Sequence, residues 1–455
     1  MRVVPRVVIC GGGVAAIEAL LALREMLVLA PHINLIAPNP SFVYQPMAVA
    51  EPFGQAQSHV FDMKQVASEL DAHVHPETVA AVDAEERCVE LANGVRMSYD
   101  AAIVAVGARR VEWLAGALSF GGADDTGAFS ELLERVEHGQ VSRLAFTAPS
   151  GMSWTLPLYE LALLTAARLA ERGIAEVELT IVTPEKHPLA IFGATAGEML
   201  RQQLLDRGIR IAVGVTAEKF GSGRLALCSG ATLEVDEVVA LPRLAGPRIS
   251  GLPLDADGFI EIDEHCRVAG LEAVYAAGDG TTFPIKQGGI ATQQADVAAE
   301  CIAAELGASR QLPVFTPTLR GMLLTGVAPM FLRAAVHATE AGSGDVAGNA
   351  MWWPPTKIAG RYLSPYLAHL GTLGGRASLE DRPPSTQSLA ASREAHKEAR
   401  ELALTFALAD ARAGHYQSAL SWLEVIERLE GVMPADCLQI RDEWTAQAGN
   451  SGSHV

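Results

Sequence analysis

Residues 3–30 read VVPRVVICGGGVAAIEALLALREMLVLA. The β-branched run Val7 to Ile9 suits a buried parallel strand. Gly11-Gly12-Gly13-Val14-Ala15-Ala16 follows, a G-x-G-x-x-A pattern, and then Ile17, Leu20, Leu21 and Leu27 fall on one helical face. In this order each residue type has a physical role. Gly11 permits the tight turn, Gly13 lets the backbone approach a pyrophosphate, and Ala16 allows close helix–strand packing. The helix N-terminus then faces the phosphates. Glycines alone are weak evidence; strand, loop and helix together predict a dinucleotide-binding unit. The next strand, HINLIAPNP (32–40), carries Ala37 where an acidic residue ordinarily takes the adenosine ribose. Asn39 or a backbone group is the expected substitute.

Composition bounds the rest. The chain has 455 residues, 49% hydrophobic and 19% charged, enough for two or three domains with filled cores. A net charge of −18 disfavours nucleic acid and anionic membrane surfaces as general partners. The six cysteines, Cys10, Cys88, Cys228, Cys266, Cys301 and Cys437, show neither CxxC nor metal-ligand spacing, so free thiols in a reducing compartment and no metal site are expected. No signal peptide precedes the first strand and no uncharged apolar run reaches 18 residues, which leads us to expect a cytoplasmic protein.

A second half of the same site is expected far along the chain. In EAVYAAGDGTTFPIKQGGIATQQADVAAECIAAE (272–305), a strand over 273–276 runs into Gly278-Asp279, and a helix opens near Gly288. A carboxylate after a parallel strand suits sugar-alcohol hydroxyls. The helix opening aims its positive end at whatever precedes it, and Lys286 adds to that field.

Strand–GD–loop–helix, joined to the N-terminal GxGxxA and to AAIVAVGAR (101–109), resembles the pyridine nucleotide-disulfide oxidoreductase superfamily. The resemblance implies an α/β fold of two Rossmann-like doubly wound domains, a split FAD domain with an inserted second domain. It implies FAD as cofactor, Asp279 at the ribityl chain or phosphate side, and Gly107 and Gly278 close to it. NPSFVYQPM (39–47) and PIKQGGIATQQA (284–295) resemble the flavin-flanking loop and helix of sulfide:quinone oxidoreductases, flavocytochrome c sulfide dehydrogenases and type II NADH dehydrogenases. They add Pro46 and Gln287 as candidate cofactor contacts. The resemblance covers about residues 1–330. The expected organisation is 1–115 and 245–330 for the split domain and 116–244 for the insert. An aromatic-rich segment (331–375), a linker (376–392) and an α-helical hairpin tail (393–455) follow.

The insert alternates strand and helix: RLAFT (143–147), a helix over 157–172, VELTIVT (177–183), a helix over 195–207, RIAVG (210–214) and EVVALP (237–242). Its first loop, TAPSGMSWTLPLYELA (147–162), departs from the family. Trp154-Thr155-Leu156-Pro157 stand where glycines would let a pyrophosphate approach the backbone, so ordinary NADH binding is not expected. In sulfide:quinone oxidoreductases this loop carries a cysteine; here Trp154 takes its place. No cysteine lies between Cys301 and Cys437 to serve as the second redox thiol. The expectation is therefore a flavin whose face is covered by Trp154, Tyr159 and Glu160. Trp154 would stack on a ring substrate or the flavin, and Glu160 would relay protons as the acidic residue of type II NADH dehydrogenases does.

In PTLRGMLLTGVAPMFL (317–332) and AMWWPPTKIAGRYLSPYLAHLG (350–371), aromatics mix with Lys357 and Arg361. In related quinone reductases this region forms amphipathic helices at the membrane. Two readings stay open: peripheral docking at the inner face of the membrane, or a core or dimer contact sealed by Trp352, Trp353, Tyr362 and Tyr366. RASLEDRPPSTQSLAAS (376–392) reads as a linker, and residues 399–431 as two helices turning at Gly414-His415. Gly414-x-Tyr416-x-x-Ala419-Leu420 resembles half a tetratricopeptide repeat, suited to self-association or a partner.

The function expected is an FAD-dependent oxidoreductase. It passes electrons from an unidentified small-molecule donor through flavin N5 to a quinone or similar acceptor, with Trp154, Glu160 and Lys286 around the reactive ring. The alternatives are an NAD(P)H-oxidising flavoprotein with an atypical loop, and a non-catalytic flavin-binding scaffold or sensor acting through its tail.

Overall fold

Alternate residues of the first strand part to opposite faces: Val7 and Ile9 join one core, Val8 and Cys10 another. That is the period-two signature of a strand buried on both sides. In the computed structural model it is the centre of a five-stranded parallel sheet ordered Val274–Ala276, Ala101–Val104, Arg6–Cys10, His32–Ile36 and Ala72–His75. Helices α1 (Val14–Met26) and α6 (Gly288–Glu305) cover one face. An antiparallel sheet of Val79–Asp83, Cys88–Leu91 and Arg96–Ser98 backs the other. The chain thus reaches this sheet from both ends, as the split motif requires. The structure describes residues 4–27, 30–308, 312–337, 340–341, 344–348, 350–352 and 354–373. It then describes 400–401, 403–405, 407–408, 410–412, 416–430 and 433–451.

The insert repeats the plan. Its parallel sheet is ordered Leu118–Ser119, Glu237–Ala240, Arg143–Thr147, Glu178–Thr183 and Arg210–Val213. It carries α3 (Thr126–Glu137), α4 (Leu156–Glu171) and α5 (Gly193–Asp206), and has its own antiparallel sheet over residues 217–234. The short α2 (Met63–Glu69) belongs to the first domain. Helix α4 has Pro157 in its first turn, where the missing N–H costs no bond. Both parallel sheets end toward one cleft, the usual ligand position in doubly wound folds.

Residues 317–332 differ from the expected amphipathic helices. Thr318–Leu323 and Met330–His337 form an antiparallel hairpin, joined by Asp345–Ala347. The reason is local: Gly326 with φ +83° and Pro329 build a turn between two apolar runs of strand length. Gly321 lies against Phe192 and Leu156, so the hairpin packs on α4.

Trp352, Tyr362 and Tyr366 are 2%, 5% and 4% exposed, so these rings seal the interior and are not available to a bilayer. Trp353 and the linker 376–392 lie outside the described residues, as does the turn at Gly414-His415. Beyond them, α8 (Tyr416–Glu430) and α9 (Ala435–Ser451) extend the expected hairpin by a further helix. The apolar positions of α8, with Ala403, Ala407 and Cys437, pack on Phe331, Met351 and Trp352. Among the described residues, no helix is long and apolar enough to cross a membrane.

Candidate functional site

The sheets meet at a cleft of 950 Å³ lined by loops of both domains and by the segment around Lys357. Gly11 adopts φ +132°, and a Cβ there would stand 2.1 Å from the Ala105 carbonyl oxygen. Only glycine permits this turn. Gly13 opens α1, and a Cβ on it would meet nothing within 4 Å, so open space lies before the helix N-terminus, the end of a helix that favours anions. Gly11 and fully buried Ala16 shape the loop from behind, while Gly13 lines the cleft. Asn39 is exposed and is not among the residues that line the cleft.

Pro46, Gly107, Gly278 and Asp279 all line the cleft. Gly278, at φ +87°, sits 3.4 Å (as a virtual Cβ) from Ala15 and 3.5 Å from Ala291, where the openings of α1 and α6 converge. Burial raises the Asp279 carboxyl above its ordinary value, and the Lys286 charge works against that rise. Among the described residues no protein group donates a hydrogen bond to this carboxylate, so it faces the cleft with its acceptors open. Lys286 stands 4.0 Å over the Phe259 ring and donates to the Thr281 carbonyl. Burial lowers its ammonium to about 8, opposed by Asp279 and Asp255. Gln287 lines the cleft too, but its side chain is committed. Its Oε1 caps α6 by accepting from Ile290 N at 2.9 Å, and its Nε2 donates to the Arg320 carbonyl at 3.1 Å.

On the insert side, the loop carrying Trp154 is tied across the cleft by Ser153 donating to the Pro284 carbonyl. Trp154 lines the cleft and packs edge-to-face on Phe192 at 6.0 Å and 61°. Tyr159 departs from the expected flavin-facing position: it is fully buried in the insert and its hydroxyl donates to Glu185 Oε2 at 2.5 Å. A single residue step along the helix explains this, since Tyr159 and Glu160 are adjacent and point about 100° apart. Glu160 does reach the cleft, fully buried. Lys357 Nζ lies 2.6 and 2.5 Å from its two oxygens, and Leu324 N donates at 2.8 Å. Burial raises Glu160 and lowers Lys357, each opposed by the partner's charge.

Sequence reasoning missed Lys357 as a site residue. Its one signal was a cation inside an apolar, aromatic run that it shares with Arg361. The segment holding it is braced by hydrogen bonds: Trp352 Nε1 donates to the Thr356 carbonyl at 2.8 Å, and Thr356 Oγ1 to the Ile358 carbonyl at 2.6 Å. Tyr362 N and Leu363 N donate to Glu18 at 2.9 and 2.6 Å, at the start of α7 (Leu363–Leu373). All six cysteines are free and only Cys228 is exposed, and no metal-holding cluster occurs among the described residues.

Comparison with known proteins matches the pyridine nucleotide-disulphide oxidoreductase family model to residues 5–144 and 159–299. The chain belongs to this family. Residues 145–158, the loop with Trp154, fall between the two matched segments. An NADH dehydrogenase-like protein of Mycobacterium tuberculosis (strain H37Rv) is 29% identical over 219 residues, 46% of this chain and 54% of that protein. The chain therefore spans about half the length of the curated relatives it matches. The sulfide:quinone oxidoreductase of Aquifex aeolicus shares the fold with a TM-score of 0.69 at 18% identity, over 75% of this chain and 86% of that one. A ferredoxin reductase from Rhodopseudomonas palustris gives 0.56 at 18%, over 73% and 82%. This pyridine nucleotide-disulphide oxidoreductase takes the family's cofactor, FAD. Its residues fit that group: an open helix N-terminus at Gly13, an unpartnered carboxylate at Asp279 and a cleft at the large end of the usual ligand range.

Proposed function

We propose that the protein is an FAD-dependent oxidoreductase that passes electrons from a small donor to a quinone or similar acceptor. Bound FAD supplies the electron relay, through N5. Gly13 and the α1 N-terminus hold its pyrophosphate, Asp279 its ribityl hydroxyls, and Lys286 with the start of α6 the electron-rich ring edge. The observation that carries the acceptor side is the buried Glu160–Lys357 pair in the cleft wall. A quinone that gains two electrons must also gain two protons. An acid and an ammonium that burial pushes toward their neutral forms, held in direct contact, are groups able to exchange a proton. No cysteine is among the residues that line the cleft.

The test is reoxidation of the photoreduced holoprotein by a water-soluble benzoquinone in stopped flow. Lys357→Met should slow it by about 100-fold, in the range of lost general acid catalysis. Wild-type reoxidation no faster than that of free reduced flavin would sink the proposal.

A second reading, oxidation of NAD(P)H, draws on the name of the mycobacterial relatives. Anaerobic NADH titration separates the two: bleaching of the flavin band supports the second reading, and a flavin that stays oxidised removes it. The reading of the protein as cytoplasmic, or peripheral at the inner face of the membrane, belongs to the same proposal.

A further inference from the structure

Glu185 follows the strand Glu178–Thr183, second in chain order of the insert's long parallel strands. In a doubly wound domain an acid at the end of the second strand is the group that accepts a nucleotide's ribose hydroxyls. Here its acceptors are already taken. Oε2 accepts from Tyr159 Oη at 2.5 Å, Thr155 Oγ1 at 2.8 Å and Thr183 Oγ1 at 3.2 Å; Oε1 accepts from Ala190 N at 3.2 Å. Thr155 is the residue before α4, yet its hydroxyl makes no helix-capping bond and goes to Glu185. The two donors from α4 matter by position. Thr155 follows Trp154 and Tyr159 precedes Glu160, and both neighbours line the cleft while Glu185 does not.

We propose that Glu185 is a positioning residue that fixes Trp154 and Glu160 in the cleft wall from behind. By turning its carboxylate onto the start of α4, it closes the insert to dinucleotides. The donor that reaches this cleft is then a molecule small enough to need no adenosine anchor. The proposal rests on the cleft being the FAD site. It explains why the loop and the acid depart from a nucleotide-binding pattern together: Trp154 removes the approach to the pyrophosphate, and the clamp on Thr155 and Tyr159 removes the ribose acceptor.

The experiment uses the FAD-saturated full chain as wild type, Glu185→Gln and Tyr159→Phe. ADP-ribose is titrated into each by calorimetry, and the visible circular dichroism of the bound flavin is recorded. We expect no saturable heat in the wild type up to about 1 mM ADP-ribose, and a shifted flavin dichroism band in both variants, because Trp154 and Glu160 move. Tyr159→Phe removes one donor without touching the cleft, so it decides the matter alone if Glu185→Gln does not fold. Saturable ADP-ribose binding by the wild type overturns the proposal, and so does wild-type dichroism in the folded variants. A preparation that takes up no FAD fails earlier and overturns the reading of the cleft instead.

Discussion

Lys286 shows how burial sets a working pH. Its ammonium is lowered from the ordinary 10.5 to about 8, with desolvation the main cause. The folded protein loses this cation as pH rises through about 8, while the unfolded chain keeps it to about 10.5. Between those values the unfolded state binds the extra proton, so the contribution of Lys286 to stability rises with pH over that window. The local field at the cleft does the opposite: it is most positive below pH 8. We predict that the absorption of the bound flavin titrates with a midpoint near 8, and that Lys286→Met removes this titration; an unchanged titration in the variant would place its origin elsewhere. Lys286 was legible in the sequence because it stands two residues before α6 begins, within a recognisable loop. Asp279 and Gly13 were legible for the same reason. The candidacy of Asn39 had a weaker basis, the absence of an acid at Ala37, and the cleft wall does not include it.

The C-terminal helices act at the scale of elements. Trp422 is 6% exposed, donates to Asp410 Oδ2 at 3.0 Å, and sits in one apolar cluster with Phe331 and Trp352. Met322, which lines the cleft, packs against that cluster. Trp422→Ala removes a buried indole, a loss of about 3–5 kcal/mol. We predict early proteolytic release of the helices beyond residue 400 and an altered flavin emission in the same variant. Intact helices under protease at the wild-type rate would refute the link. Helix α9 escaped the sequence reading because ADCLQIRDEWTAQAGNS has no clear apolar stripe. The hairpin over 318–337 escaped it for a different reason. Short apolar runs do not separate strand from helix by period, and family resemblance tipped the expectation toward helix.

At the scale of the whole molecule, the cleft is bounded by the first domain, the insert and the Lys357 segment together. A ligand bound there stabilises every part that frames it. We predict that saturating FAD raises the melting temperature of the chain as one transition, with about 2.7 kcal/mol gained at a hundredfold excess over Kd. Separate transitions, of which only one moves with FAD, would show that the insert melts independently. The two doubly wound sheets were legible because strand and helix periods repeat locally. The pair that completes the site was not, since Glu160 and Lys357 are 197 positions apart and no local pattern links them. Only the folded hairpin and the bonded segment 356–363 bring them together.

Glu18 gives that long-range closure a timetable. This buried acid sits in α1, close to the start of the chain, and accepts from the amides of Tyr362 and Leu363. During synthesis at about 5–20 residues per second, those donors emerge tens of seconds after α1. The cofactor helix therefore leaves the ribosome with an acid whose amide partners have not yet been translated, and this side of the cradle closes only once residues 362 and 363 have followed it.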